Sequence, residues 1–139
     1  MLPDVIISKI SIVENCLSRI GQAEQMKSDG NLEESMALDF IVLNLQRLIQ
    51  AVIDMADYII SEKEYRTPNS YKMSFNILAE QDWISRETEV KMTKMVGFRN
   101  VAVHDYREIN HEIVKAIARD HLDDFKEFIS SIVGKYEKG

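Results

Sequence analysis

The chain has 139 residues, a length that suits one domain, and its 45% hydrophobic and 29% charged content is that of a folded globular protein. Gly 5 and Pro 2 make up about 5% of the chain, where average usage is nearer 12%, too few for the many tight turns of a β-sandwich or barrel. Lys+Arg 17 against Asp+Glu 23 leaves a formal charge of −6, so the surface as a whole is not an obvious binder of polyanions. One all-α domain over residues 1–139 is the expectation. Cys16 alone can form neither an internal disulfide nor a zinc site, and its apolar neighbours place it in a core. Pro3 and Asp4 stand where a secretory leader would carry a basic stretch and an apolar run. The apolar stretch from Phe40 to Ile60 is broken by Asn44, Gln46, Arg47, Gln50, Asp54 and Asp57. No membrane span is therefore expected, and a cytoplasmic, reducing location is.

After Pro3 and Asp4, apolar residues at Ile6, Ile10, Val13, Leu17 and Ile20 step by four and three and describe one face of a first helix, widened by Val5, Ile12 and Cys16. Ser28 to Asn31 break it. Asn31, with Glu34 three residues on, predicts the capped start of a second helix. Leu38, Ile41, Leu45, Leu48, Val52, Met55 and Ile59 then form the strongest periodic signal in the chain. It predicts a helix of about 30 residues, the central member of a bundle.

Pro68 to Ser70 stop that region, and a short helix is predicted from about Ser70 to Ala79. Trp83 and Ile84 are expected to anchor the next loop. Ser85 caps a further helix with Val90, Met95, Phe98, Val101 and Ala102 on its face, and Gly97 within it suggests close packing or a bend. Asn110 caps a last helix carrying Val114, Ala118, Leu122, Phe125, Ile129 and Ile132. Residues 134–139 read as a frayed tail. The architecture expected is an antiparallel four-helix bundle with an additional short helix.

Few segments carry chemistry. His111-Glu112 begins a zinc-protease pattern, but Lys115 stands where the second histidine is needed. The stretch from Gly97 to Tyr106 differs, because it concentrates Arg99, Asn100, His104 and Tyr106 at a helix end. Between Lys91 and Arg107 four basic residues (Lys91, Lys94, Arg99, Arg107) face one acid, Asp105, a local charge of +3. Asn100 and His104 are four apart and share a face. Arg99 and His104 are five apart, about 140° around a straight helix. They meet on one phosphate only if the helix unwinds near His104 or a second subunit completes the site.

The segment R-N-V-A-V-H-D-Y, Arg99 to Tyr106, resembles the R-x-x-x-x-H motif of HEPN domains, in particular the HepT-like branch with R-N-x-x-x-H-x-Y. The likeness spans nearly the whole chain in order. It includes E-N-C-L-S-R-I (14–20), N-L-Q (44–46), I-D-M-A (53–56), P-N-S-Y (68–71), L-A-E (78–80) and K-M-V-G-F-R-N (94–100). The resemblance implies a helical bundle that forms a homodimer, with two such motifs facing each other across a cleft. It implies metal-independent cleavage of RNA as a toxin, without a cofactor, with Arg99 and His104 as the catalytic pair and Asn100 as a positioning residue.

The residue types suit that chemistry. RNA brings its own nucleophile in the 2′-hydroxyl. An imidazole can exchange protons near neutral pH, and a guanidinium offers a fork of donors to a phosphoryl group gaining charge. The resemblance further implies a minimal nucleotidyltransferase antitoxin as partner, which transfers AMP to Tyr106. The added phosphodiester would repel RNA and occupy Arg99. A non-enzymatic subunit that presents substrate to such a transferase is the alternative, and a purely structural helical dimer is a third. Neither DNA nor a membrane is expected as a partner.

Overall fold

The stripe from Leu38 to Ile59 organises the molecule, and all seven of its members are buried. The computed structural model describes residues 1–138 and places the stripe on α2, Glu34–Glu62, a helix of 29 residues. By length and composition α2 is apolar enough to cross a bilayer, but the other helices bury most of its apolar surface. Around it stand α1 (Asp4–Ser28), α3 (Tyr71–Glu80), α4 (Arg86–His104), α5 (His111–Ala116) and α6 (Asp123–Lys138). A 3₁₀ turn, Tyr106–Glu108, follows α4, and a π-type turn, Ile117–His121, joins α5 to α6. The fold is the expected all-α bundle. Its partners along α2 are chiefly α1, with α3, α4 and α5 contributing less.

Local signals account for most boundaries. Ser70 and Ser85 cap α3 and α4 by accepting hydrogen bonds from the amides of Met73 and Thr88, and Asn110 caps α5 through Glu112 and Ile113. Asn31 is not the cap of α2. Its amide donates to Met26 O at 2.9 Å while Gly30, at φ +76°, donates to Lys27 O, so both residues close the end of α1 as a Schellman motif. The helix begins three residues later, after Glu33, with no side-chain cap.

Other expectations change with packing. The single last helix is interrupted at Ile117–His121, where a turn holding one more residue than an α turn rotates the face that follows. Phe128 rather than Ile129 is fully buried there, edge-on to Phe75 at 5.8 Å between ring centroids. On α4 the buried residues are Thr88, Met92, Met95, Val96 and Ala102, leaving Val90 and Val101 exposed. A Cβ at Gly97 would meet nothing within 4 Å, so close packing does not explain that glycine.

The tail is not frayed as far as it is described, since α6 stays helical to Lys138. Tyr136 ties it down, packing at 4.9 Å on buried Trp83 and donating to Glu62 Oε1 at 3.0 Å. Gly139 lies outside the described residues. Trp83 anchors its loop as expected, its indole N–H donating to Tyr65 Oη at 3.0 Å.

Candidate active site

The C-terminal turns of α4 form one wall of a groove of about 1080 Å³. Arg99, Asn100, Val103 and His104 line it, facing Asp57, Ser61 and Glu64 at the end of α2 and Thr67 to Tyr71 at the start of α3. Arg99, Asn100 and His104 therefore share a rim. Because α4 remains helical through His104 and departs only at Asp105 (φ −150°, ψ 72°), no unwinding turns His104 toward Arg99. The two side chains project from opposite margins of the same wall, about 140° apart around the axis.

Arg99 is held from three sides. Its Nη2 donates to Gln50 Oε1 on α2 at 2.9 Å, its Nη1 reaches Asn100 Oδ1 at 3.3 Å, and its guanidinium carbon lies 5.4 Å from the centre of the Tyr71 ring. Gln50 is fixed in turn: its amide donates to Asp54 Oδ1 at 2.8 Å, and Lys9 pairs with Asp54 Oδ2 at 3.0 Å. This chain from α1 through α2 to α4 leaves the guanidinium half-buried and oriented, with donors to spare. His104 is exposed and makes no side-chain hydrogen bond among the described residues, so both ring nitrogens stay open to a bound group.

Tyr106 sits on the 3₁₀ turn, two residues past His104 and 45% exposed. Its hydroxyl donates to Oδ1 of Asp39 near the start of α2. Partial burial of the phenol, together with that carboxylate, pushes its pKa up to about 12. The neighbouring α5 is tied to the same end of α2 by the Lys115–Glu34 ion pair at 2.6 Å.

The basic strip expected from Lys91 to Arg107 does not act as one. Lys91 turns away, toward Glu87 at 3.2 Å, Glu127 at 3.3 Å and Asp124 at 3.6 Å. Its charge is answered locally, and those carboxylates hold its ammonium above the usual lysine range. Arg99 instead borders a second groove with Lys9, Gln46, Arg47, Gln50 and Asp54, where Lys9 is paired with Asp54 and Arg47 of α2 adds positive charge beside the motif.

Gln50, Asp54, Tyr71 and Asp39 were not legible as site residues. One signal was present, because the polar interruptions Arg47, Gln50, Asp54 and Asp57 step by three, four and three, a polar stripe beside the apolar one.

Comparison with known proteins bears on the family and the fold. The family model described as Ribonuclease HepT-like matches residues 13–132. The mRNA nuclease HepT of Shewanella oneidensis is 40% identical over 133 residues, covering 93% of this chain and 96% of its own length. The structure of the tri-AMPylated Shewanella oneidensis HEPN toxin in complex with MNT antitoxin matches with a TM-score of 0.87 at 38% identity, over 96% of this chain and 99% of that one. A toxin–antitoxin crystal structure with AMP-PNP matches with a TM-score of 0.87 at 37% identity, over 95% and 99% of the two chains. A HEPN-type helical bundle carrying R-N-x-x-x-H-x-Y at the end of α4, the chain belongs to the HepT-like ribonuclease family.

Proposed function

We propose that this chain is a cytoplasmic ribonuclease toxin that works as a homodimer and is silenced when a cognate nucleotidyltransferase antitoxin transfers AMP to Tyr106. One observation carries the reading: Arg99, Asn100 and His104 line the same groove wall, and an exposed tyrosine follows directly on the next turn. In RNA the 2′-oxygen attacks the adjacent phosphorus as His104 of one copy takes its proton. The P–O5′ bond breaks, and the second copy's His104 returns a proton to the leaving oxygen. Arg99, already aimed by Gln50 and Tyr71, stabilises the phosphoryl oxygens as charge builds on them. No step asks for a metal or a cofactor.

The need for a second copy rests on the separation of Arg99 and His104 around an intact helix. Val101 and Val103, 40% and 46% exposed on the same turns, offer apolar surface for that copy to cover. The purified chain is expected to sediment as a dimer and to cleave RNA in the presence of EDTA. Arg99→Ala and His104→Ala should each abolish cleavage and toxicity in cells while leaving the fold intact. A wild-type chain that binds the transferase but never cuts RNA would instead be the non-enzymatic subunit.

A further inference from the structure

Tyr106 does not stand alone on its turn. Its hydroxyl is directed onto Asp39, 67 residues earlier, on the most deeply packed helix of the fold. Asp39 is exposed but sits beside buried Leu38, so its backbone is held by the core while its carboxylate meets solvent and the phenol. Among the described residues, Asp39 is the charged group that the phenol hydrogen-bonds.

A phenol attacks phosphorus well only as it loses its proton, and this one, with its pKa pushed up to about 12, is hardly ionised at neutral pH. The proton must therefore leave during the attack, to a base already within hydrogen-bond reach. We propose that Asp39 is that base, so that the toxin supplies the proton acceptor for its own silencing. The inference rests on the reading of Tyr106 as the AMP acceptor. In the step, the bond from Tyr106 Oη to the α-phosphorus of ATP forms and the bond from that phosphorus to the β-phosphate oxygen breaks. Pyrophosphate leaves with the bonding electrons, and the phenolic proton passes to the Asp39 carboxylate.

The test uses the full chain, its cognate transferase and magnesium ATP, with AMP incorporation followed by intact mass and pyrophosphate release. Asp39→Asn keeps the size and an acceptor oxygen but cannot take the proton. Its kcat for AMP transfer should fall by about 100-fold or more with KM for ATP little changed. Its rate should then climb steeply with pH as the phenol ionises unaided, a slope the wild type lacks. Asp39→Glu should recover part of the rate, and added formate should partly rescue Asp39→Ala.

Wild-type kinetics in Asp39→Asn would overturn the inference. So would a slow variant with the wild-type pH profile and no formate rescue of Asp39→Ala, which would leave Asp39 a positioning residue only. If the wild type gains no AMP, or Tyr106→Phe still gains it, the acceptor reading fails instead, and the two failures are told apart.

Discussion

Replacing Gln50 by alanine removes the side chain that aims Arg99 without touching the motif itself. The lost contact is the 2.9 Å hydrogen bond from Arg99 Nη2 to Gln50 Oε1. A hydrogen bond to a charged group contributes about 1.5–3 kcal/mol, and the half-exposed setting of Arg99 lowers this to about 1–2 kcal/mol through solvent screening. At about 1.4 kcal/mol per tenfold in rate, kcat/KM for RNA cleavage should fall about 5–30-fold. Asn100 at 3.3 Å and the Tyr71 ring at 5.4 Å still hold the guanidinium, so the loss should be partial. Asp54, released by Gln50, keeps its pairing with Lys9, and the variant should therefore fold.

On the proposed mechanism the decrease should appear mainly in kcat, since an aimed Arg99 would act on charge that develops only in the transition state. Gln50→Glu sharpens the test. Its carboxylate would grip Arg99 more tightly than the amide does and compete with phosphate, so its activity should drop below that of Gln50→Ala. A quenched-fluorophore RNA substrate measures both variants, with thermal melting as the check on folding. If kcat/KM for Gln50→Ala stays within about twofold of wild type or rises above it, the contact is only a resting-state tether and the reasoning is refuted.

Alkaline pH tests the Tyr106–Asp39 contact. With the folded-state pKa raised from 10.0 to about 12, the contribution is fully present below pH 10 and is lost as pH rises through 12. Across that window urea unfolding should show the wild type losing stability relative to Tyr106→Phe, and parallel curves would contradict the shift. Phe128→Ala removes a fully buried ring packed on Phe75 and should cost about 3–5 kcal/mol by urea titration; a loss under about 1 kcal/mol would contradict the packing. Lys91→Ala should leave RNA cleavage within about twofold of wild type, because its ammonium is already neutralised by Glu87, Asp124 and Glu127. A tenfold drop at low salt would restore Lys91 to the RNA site.

Helices and caps were readable because they are local. Steps of three and four on α2, and a serine or asparagine placed just before α3, α4 and α5, act over a few residues whatever the rest of the chain does. The same locality made the motif visible, since Arg99, Asn100, His104 and Tyr106 lie within eight consecutive residues. Where a local rule had two users it misled. Asn31 is a good cap residue, but the left-handed Gly30 beside it spends Asn31 on closing α1. On α4 two apolar stripes compete, and only the packing of neighbouring helices selects Met92 and Val96 over Val90 and Val101.

The amino-acid sequence by itself determined an all-α bundle, its central helix and a catalytic-type motif followed by a tyrosine. What surrounds that motif was decided in three dimensions. Gln50 reaches Arg99 across 49 residues, Asp39 reaches Tyr106 across 67, and Glu127 draws Lys91 away across 36. Periodicity says which face of a helix is apolar, but not how far along it or at what angle a neighbour will lie. The charge of −6 illustrates the difference. Composition set its size, while the packing of α1, α2 and α4 decided that Arg47 and Arg99 would gather beside the second groove, that Lys9 would pair with Asp54 there, and that Lys91 would turn away.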